Sequence, residues 1–346
     1  MSEDFASCYA IRRTDIAGGA RPDVSGYGPP DLQTAYNLPS STQGTGQTIA
    51  LVDAYDDPNA EADLGVYRSN YGLPACTTAN GCFMKVNHMG QQGPYPTGNS
   101  GWAVEMSLDV DMASAACPNC KIILVEANSN SFRDLGKAVD RAAKLGANAI
   151  SNSYGSAGDY RARKIGAHYD HKGVIITASA GDGGYSPGVP AGFPTVVAVG
   201  GTTLHKGGSG RGWTETVWSG TGSGCNTKQP KPSWQTDTGC TGRTMNDVAS
   251  VSDPDTGVAV YDTYDEHGWF VVGGTSAASP LIAAIYGLAG NSNTLNAAQS
   301  LYAKGASLYD ITSGTDGTCS PAYLCTGEVG YDGPTGNGSP NGASAF

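Results

Sequence analysis

The chain has 346 residues, a formal net charge of −11 and only 15% charged side chains, against 50 glycines and 18 tyrosines. Clustered Lys and Arg, which phosphate requires, are missing, so nucleic acid is excluded as a partner. No segment reaches the ~18 apolar residues of a membrane span, and sparse charge with abundant Gly, Ser, Thr and Asn points to a secreted, extracellular protein.

In chain order, residues 1–27 are polar and Gly-containing and are expected to form a peripheral extension or prosegment remnant, leaving 28–346 as a single domain. The chain opens Met1-Ser2-Glu3-Asp4 without an apolar leader, so secretion requires that a leader was removed. Residues 47–53 read as a buried strand, and Asp57-Pro58 starts a helix to about Tyr71, with aspartate at the cap and proline in the first turn. A helix over 100–116, a strand over 121–126, a helix over 132–144 and a strand over 149–151 follow. Next come a helix over 160–172 and strands over 174–178 and 195–199; residues 207–257 dissolve into Gly, Ser, Thr and Pro, the look of long surface loops. Strands separated by helices imply right-handed crossovers and an α/β fold, a parallel doubly wound sheet with helices on both faces. Ligands then bind beyond the carboxyl ends of the strands.

Nine cysteines include four short-range couples, Cys76 with Cys82, Cys117 with Cys120, Cys225 with Cys240 and Cys319 with Cys325, with Cys8 left over. They fit local staples made in an oxidising compartment, although sequence does not fix connectivity. Cys117-Pro118-Asn119-Cys120 also matches a redox CxxC or half a zinc site, but neither a second CxxC nor ligand-spaced histidines accompany it.

Three elements carry chemistry. Gly273-Gly274-Thr275-Ser276 precedes an apolar helix, which presents Ser276 on a tight turn where the helix dipole and free N–H groups favour developing negative charge. Alone, such a serine reads as a helix cap. Glu105 and Asp109 stand four residues apart on one face of the 100–116 helix, otherwise largely apolar, so burial and like-charge proximity should raise at least one pKa. Asp111 points elsewhere and reads as a solvated acid. Asp182, in Ser179-Ala180-Gly181-Asp182, follows a strand at its carboxyl end, where this architecture places chemistry; it is equally an ordinary turn residue.

Together these elements resemble the sedolisins, the serine-carboxyl peptidases of subtilisin-like fold. Glu105 and Asp109 match the family's E-x-x-x-D, Asp182 its S-x-G-D and Ser276 its G-T-S-x-x-x-P, in the family's order. The resemblance runs from about Tyr27 to Phe346 and implies Ser276 as nucleophile, Glu105 as general base, Asp109 as the group that orients Glu105 and shares its proton, and Asp182 as oxyanion-hole donor. The expected activity is an endopeptidase working through an acyl-enzyme. Glutamate as base and a protonated Asp182 as donor both fit acidic solution. A neutral subtilisin-type triad is the rival: Asp53 ends the first strand, where subtilisins carry their aspartate. His88, His168, His171, His205 and His267 all lack the context of the subtilisin histidine, however, and the helix opens Ser100-Gly101-Trp102 instead. Asp53 stands near where some sedolisins carry a glutamate beside the catalytic pair, or it simply precedes the Asp56-Asp57-Pro58 turn. A catalytically silent binding protein is a further reading; all four reacting side chains are nevertheless present.

The family's calcium site has a counterpart in Asp310-Ile311 and Glu328-Val329-Gly330-Tyr331-Asp332. The resemblance implies one structural Ca²⁺ held by the side chains of Asp310 and Asp332 and the carbonyls of Ile311, Glu328 and Gly330. Glu328 departs from the family's glycine there. Ser153, Tyr154 and Gly155 resemble the edge strand that pairs with an extended peptide, which makes peptides and proteins the substrates of what is expected to be a monomer. Family members are commonly made as zymogens with a long prosegment.

Overall fold

The computed structural model describes residues 5–15, 25–158, 165–208 and 210–346. Its centre is a sheet in the spatial order β11-β10-β8-β6-β3-β5-β4, built from β3 (Thr48–Ala54), β4 (Phe83–Asn87), β5 (Lys121–Ala127), β6 (Ala149–Asn152), β8 (Ile175–Ser179), β10 (Val197–Lys206) and β11 (Trp213–Val217). All neighbours are parallel except β10 and β11; β14 (Val248–Val251) also joins β10 in parallel. In β3 and β5 every residue after the first is buried. Strands covered on both faces need continuous apolar runs, and Ile-Ala-Leu-Val and Ile-Ile-Leu-Val supply them.

On one face pack α2 (Ala60–Asn70), α3 (Ser100–Ala116) and α5 (Thr275–Ala289), with α3 against both α2 and α5; α4 (Phe132–Lys144) covers β3 and β5 from the other. α3 is buried along nearly its whole length, which explains why its sequence shows no polar stripe: neighbours enclose it on every side. Asp111 is accordingly buried rather than solvated; its Oδ2 accepts a hydrogen bond from Tyr261 N (3.1 Å), and burial raises its pKa well above the ordinary carboxyl value.

The helices at 100–116 and 132–144 stand where the sequence places them, whereas α2 begins three residues after Asp57, whose Oδ1 accepts from Asn59 N (2.9 Å) in the turn before it. Of the expected helix over 160–172, residues 160–164 fall outside the described residues; within the remainder, Gly166–Tyr169 is a 3-10 turn. Residues 207–257 are not merely loop: β11, β12 (Gly224–Asn226), β13 (Arg243–Met245) and β14 lie there, too short to show alternation. All four cysteine couples form disulfides, and Cys8 is free.

The larger departure is at the N-terminus, where part of the segment expected to be peripheral enters the body of the molecule. β1 (Ser7–Cys8) pairs antiparallel with β7 (Tyr154–Ala157), which continues to β9 (Gly188–Val189). β2 (Ile11–Arg12) pairs antiparallel with β16 (Gly268–Gly273), itself paired with β15 (Val258–Asp262). The sequence gives no warning, because two-residue strands have no periodicity and their partners are remote.

Candidate active site

β16 ends at Gly273, and Gly274 turns the chain into α5 with φ +93° and ψ 160°, a conformation that glycine adopts without strain. Thr275 and Ser276 are therefore the first two helical residues, and Ser276 is fully buried. Its Oγ donates to Ser153 O (3.3 Å). Pro280 lies four residues on; lacking an N–H, it cannot make the helical bond to the Ser276 carbonyl. That carbonyl accepts from Ser153 Oγ instead (3.4 Å), tying the Ser276 backbone to the residue before β7.

The packing of α3 on α5 brings Glu105 and Asp109 to this serine. Both are fully buried. Asp109 Oδ1 accepts from Ser153 Oγ (2.6 Å), whereas Oδ2 has no hydrogen-bond partner. Glu105 Oε2 accepts from the amides of Tyr9 (2.9 Å) and Ala10 (2.8 Å). Burial raises both carboxyls well above their ordinary values; the charge of Asp53 is the next cause for each, and nearness to the Ser276 hydroxyl partly offsets the shift at Glu105. Asp53, at the end of β3, has neither oxygen hydrogen-bonded and is pushed up to about 8 by burial. Three buried carboxyls within each other's field cannot all ionise, so they must share protons. Asp53 thus belongs to the site, and Asp57 serves the turn.

Asp182 arrives from the carboxyl end of β8. Its Oδ1 accepts from both Thr275 N (2.8 Å) and Thr275 Oγ1 (2.9 Å), and Thr275 Oγ1 in turn accepts from Gly181 N (3.0 Å). Oδ2 is buried without a partner, and burial lifts the carboxyl to about 7. Two donors on Oδ1 leave Oδ2 to carry the proton, so below neutrality Asp182 is a hydrogen-bond donor aimed into the site.

Of the expected peptide-binding residues, Tyr154 and Gly155 do hold an extended strand, opposite Cys8 and Ser7 respectively, while Ser153 bridges Asp109 and Ser276. Among the described residues no hydrogen bond joins a histidine to Ser276, Glu105, Asp109 or Asp182; His168 and His171 both bond Asp140 on α4.

Away from this cleft, Asp310 Oδ2 accepts from Gly330 N (3.0 Å) and Asp332 Oδ2 from Glu328 N (3.2 Å), so both carboxylates close on the 328–332 loop. Asp332 is fully buried and pushed up to about 7, first by burial and lastly by the charge of Asp310. Two neighbouring carboxyls, one of them buried, form a hard oxygen donor set that a divalent cation would stabilise. Among the described residues no group of three or more His, Cys, Asp or Glu converges as a metal cluster, so an ion here would draw further ligands from main-chain carbonyls.

A model of the subtilase family matches residues 97–308. The chain is 31% identical to kumamolisin of Bacillus sp. (strain MN-32), over 91% of this chain and 62% of that protein. It is 27% identical to sedolisin of Pseudomonas sp. (strain 101), over 94% and 61%. The chain therefore spans about six-tenths of the length of these relatives. Its fold superposes on the solved structure of Pseudomonas sedolisin, a serine-carboxyl proteinase in complex with two molecules of pseudo-iodotyrostatin, with a TM-score of 0.77 at 24% identity, covering 92% of this chain and 96% of that one.

Proposed function

The chain belongs to the subtilase family, on its sedolisin side, and from that premise we propose that it is an acid-active serine-carboxyl endopeptidase. The observation that carries the reading is the convergence on Ser276 of buried carboxyls with raised pKa values and of no histidine. Glu105 takes the Ser276 proton as Oγ attacks the substrate carbonyl, and Asp109 and Asp53 hold the shared protons around it. Protonated Asp182 donates through Oδ2 to the oxygen as it becomes an oxyanion. Glu105 then delivers its proton to the leaving amine, and water hydrolyses the acyl-enzyme. The strand 154–157 aligns the substrate by main-chain hydrogen bonds.

One structural calcium ion belongs to the same proposal, held by Asp310 and Asp332 and the carbonyls of Ile311, Glu328 and Gly330; bound, it would neutralise the paired carboxylates and lock the loop. Four disulfides support action outside the cell, and a site built wholly from one chain supports a monomer. A quenched peptide or casein assayed near pH 4 tests the reading. The parent should cleave and Ser276→Ala should lose about 10⁴–10⁶ in kcat; a Ser276→Ala protein that cleaves like its parent would refute it.

A further inference from the structure

A cavity of about 630 Å³ shares no lining residue with the hollow beside Asp182 and Gly155. The loop closed by Cys225–Cys240 supplies Trp234, Thr236 and Asp237, the loop closed by Cys319–Cys325 supplies Tyr323, and the short helix Gln299–Ala303 supplies Gln299 and Tyr302. None of them takes part in the proposed hydrolysis.

Trp234, Tyr302, Tyr331 and Tyr323 follow one another along the wall, ring to ring, with centroids 4.6, 5.6 and 6.5 Å apart, and each residue is only partly buried. The three tyrosine hydroxyls are used inside the protein. Tyr302 Oη donates to Asp247 Oδ1 (2.9 Å), Tyr331 Oη to Asn246 O (3.1 Å) and Tyr323 Oη to Asp237 Oδ2 (2.6 Å). Gln235 Nε2 donates to the first two (2.9 and 3.2 Å), and Gly239 N to the third (3.0 Å). What the tyrosines offer the cavity is therefore carbon surface, held in place from behind. A side-chain carbon on Gly239 would stand 2.6 Å from Tyr323 Cε1, so glycine is what lets that ring take its place. On the rim, Thr236, Thr238 and Gln299 are exposed, and their side chains make no hydrogen bond among the described residues.

A ligand for such a cavity needs an apolar face and a polar edge. A sugar ring has both, with C–H bonds on its faces and hydroxyls, each a donor and an acceptor, around its edge. A cation fits less well, because the protein's own cations hold the groups it would seek. Arg243 lies over the Trp234 ring, 5.4 Å from its centroid, and Lys231 Nζ pairs with Asp237 Oδ1 at 2.8 Å. Glu328, the other lining carboxylate, is exposed on the rim, where it can accept from a hydroxyl. A flat aromatic fits less well too, since successive rings are inclined at 47°, 34° and 56° and form no parallel slot. We propose that this cavity is an oligosaccharide-binding site, in which neutral sugar rings lie on Trp234, Tyr302 and Tyr331 and turn their hydroxyls to Thr236, Gln299 and Asn337. The site holds the protein on a polysaccharide or on the glycan of a glycoprotein without engaging Ser276.

The test is isothermal titration of the whole chain, near pH 4 with Ca²⁺ present, against cellohexaose, maltohexaose, chitohexaose and the oligomannose glycan released from ribonuclease B. Saturable binding of at least one of them at millimolar concentration or below is the expected result. Preference for a hexasaccharide identifies polysaccharide as the source, and preference for the released glycan identifies glycoprotein. Trp234→Ala should weaken binding at least about tenfold, as the loss of a central aromatic anchor does. Gln299→Ala, a change on the rim that leaves the ring packing alone, should weaken it about threefold or more. Circular dichroism checks that both variants are folded, and the rim variant carries the test if the tryptophan variant is not. Absence of binding to every one of these sugars overturns the inference. So does sugar binding that survives the substitutions in folded protein, or saturable binding of tetramethylammonium or arginine in place of the sugars.

Discussion

Replacing Asp182 by Asn separates the two properties on which its role depends. Thr275 donates twice to Oδ1, through N at 2.8 Å and Oγ1 at 2.9 Å. An asparagine would keep its carbonyl oxygen there and turn its NH₂ to the Oδ2 position, so it would donate into the site at every pH. In the parent the donor exists only while the carboxyl, pushed up to about 7, holds its proton. Rate through this group alone should fall about fivefold between pH 7 and 8 and about tenfold more by pH 9. Measured as kcat/KM on a quenched peptide from pH 3 to 9, Asp182→Asn should stay within about tenfold of the parent at pH 4, and its alkaline limb should be shallower by one proton. Asp182→Ala should lose about 10²–10³, or roughly 3–4 kcal/mol of transition-state stabilisation, even at pH 4. An Asn variant as inactive as the Ala variant, or one with the parent's full alkaline limb, would refute the assignment.

Stability should also follow pH in an unusual direction. Burial lifts Asp53 to about 8, Asp57 to about 6, Glu126 to about 9 and Asp262 to about 7. The folded chain keeps these protons while the unfolded chain loses them above about pH 4, so each contributes stability that is complete in acid and is lost as pH rises to its folded value, at about 1.4 kcal/mol per unit. The urea midpoint should fall from pH 4 to pH 8, and a flat or rising midpoint would refute the burial argument. If calcium is held by Asp310 and Asp332, chelation should lower the melting temperature and added Ca²⁺ restore it, since saturation a hundredfold above Kd is worth about 2.7 kcal/mol; an unchanged melting temperature would count against the ion. The pair Cys225→Ser and Cys240→Ser opens a bridge spanning 15 residues and should cost about 3 kcal/mol by chemical denaturation. A loss below about 1 kcal/mol would show that the 225–240 loop is already constrained by its other contacts.

The groups that meet at the candidate site were legible in the sequence because each sits at a local signature: Ser276 after Gly-Gly at a helix start, Glu105 and Asp109 one turn apart, Asp182 at a strand's carboxyl end. A parallel sheet gathers such positions at one edge, so local pattern sufficed to bring them together. Tertiary context was not legible. Asp111 reads as a surface acid until β15 is seen to cover it, and Asp53 reads equally as a turn residue or as a neighbour of the carboxyl pair until α3 packs above it with two more carboxyls. The strand Ser7–Cys8 carries no pattern at all, because its only reason to be extended is the edge of β7, some 147 residues further along.

That long-range pairing has a consequence for timing. Arg12 on β2 meets Glu266, just before β16, across 254 positions of sequence, and the strand leads directly into the turn that presents Ser276. Contacts of such separation form late, after the loop between them has closed. A chain still emerging from the ribosome has neither the β16 edge nor Ser276. Residues 5–13 can therefore be drawn into the cleft only once α5 has packed. The pairing of β2 with β16 thus couples the placement of residues 5–13 to the completion of the C-terminal half of the fold.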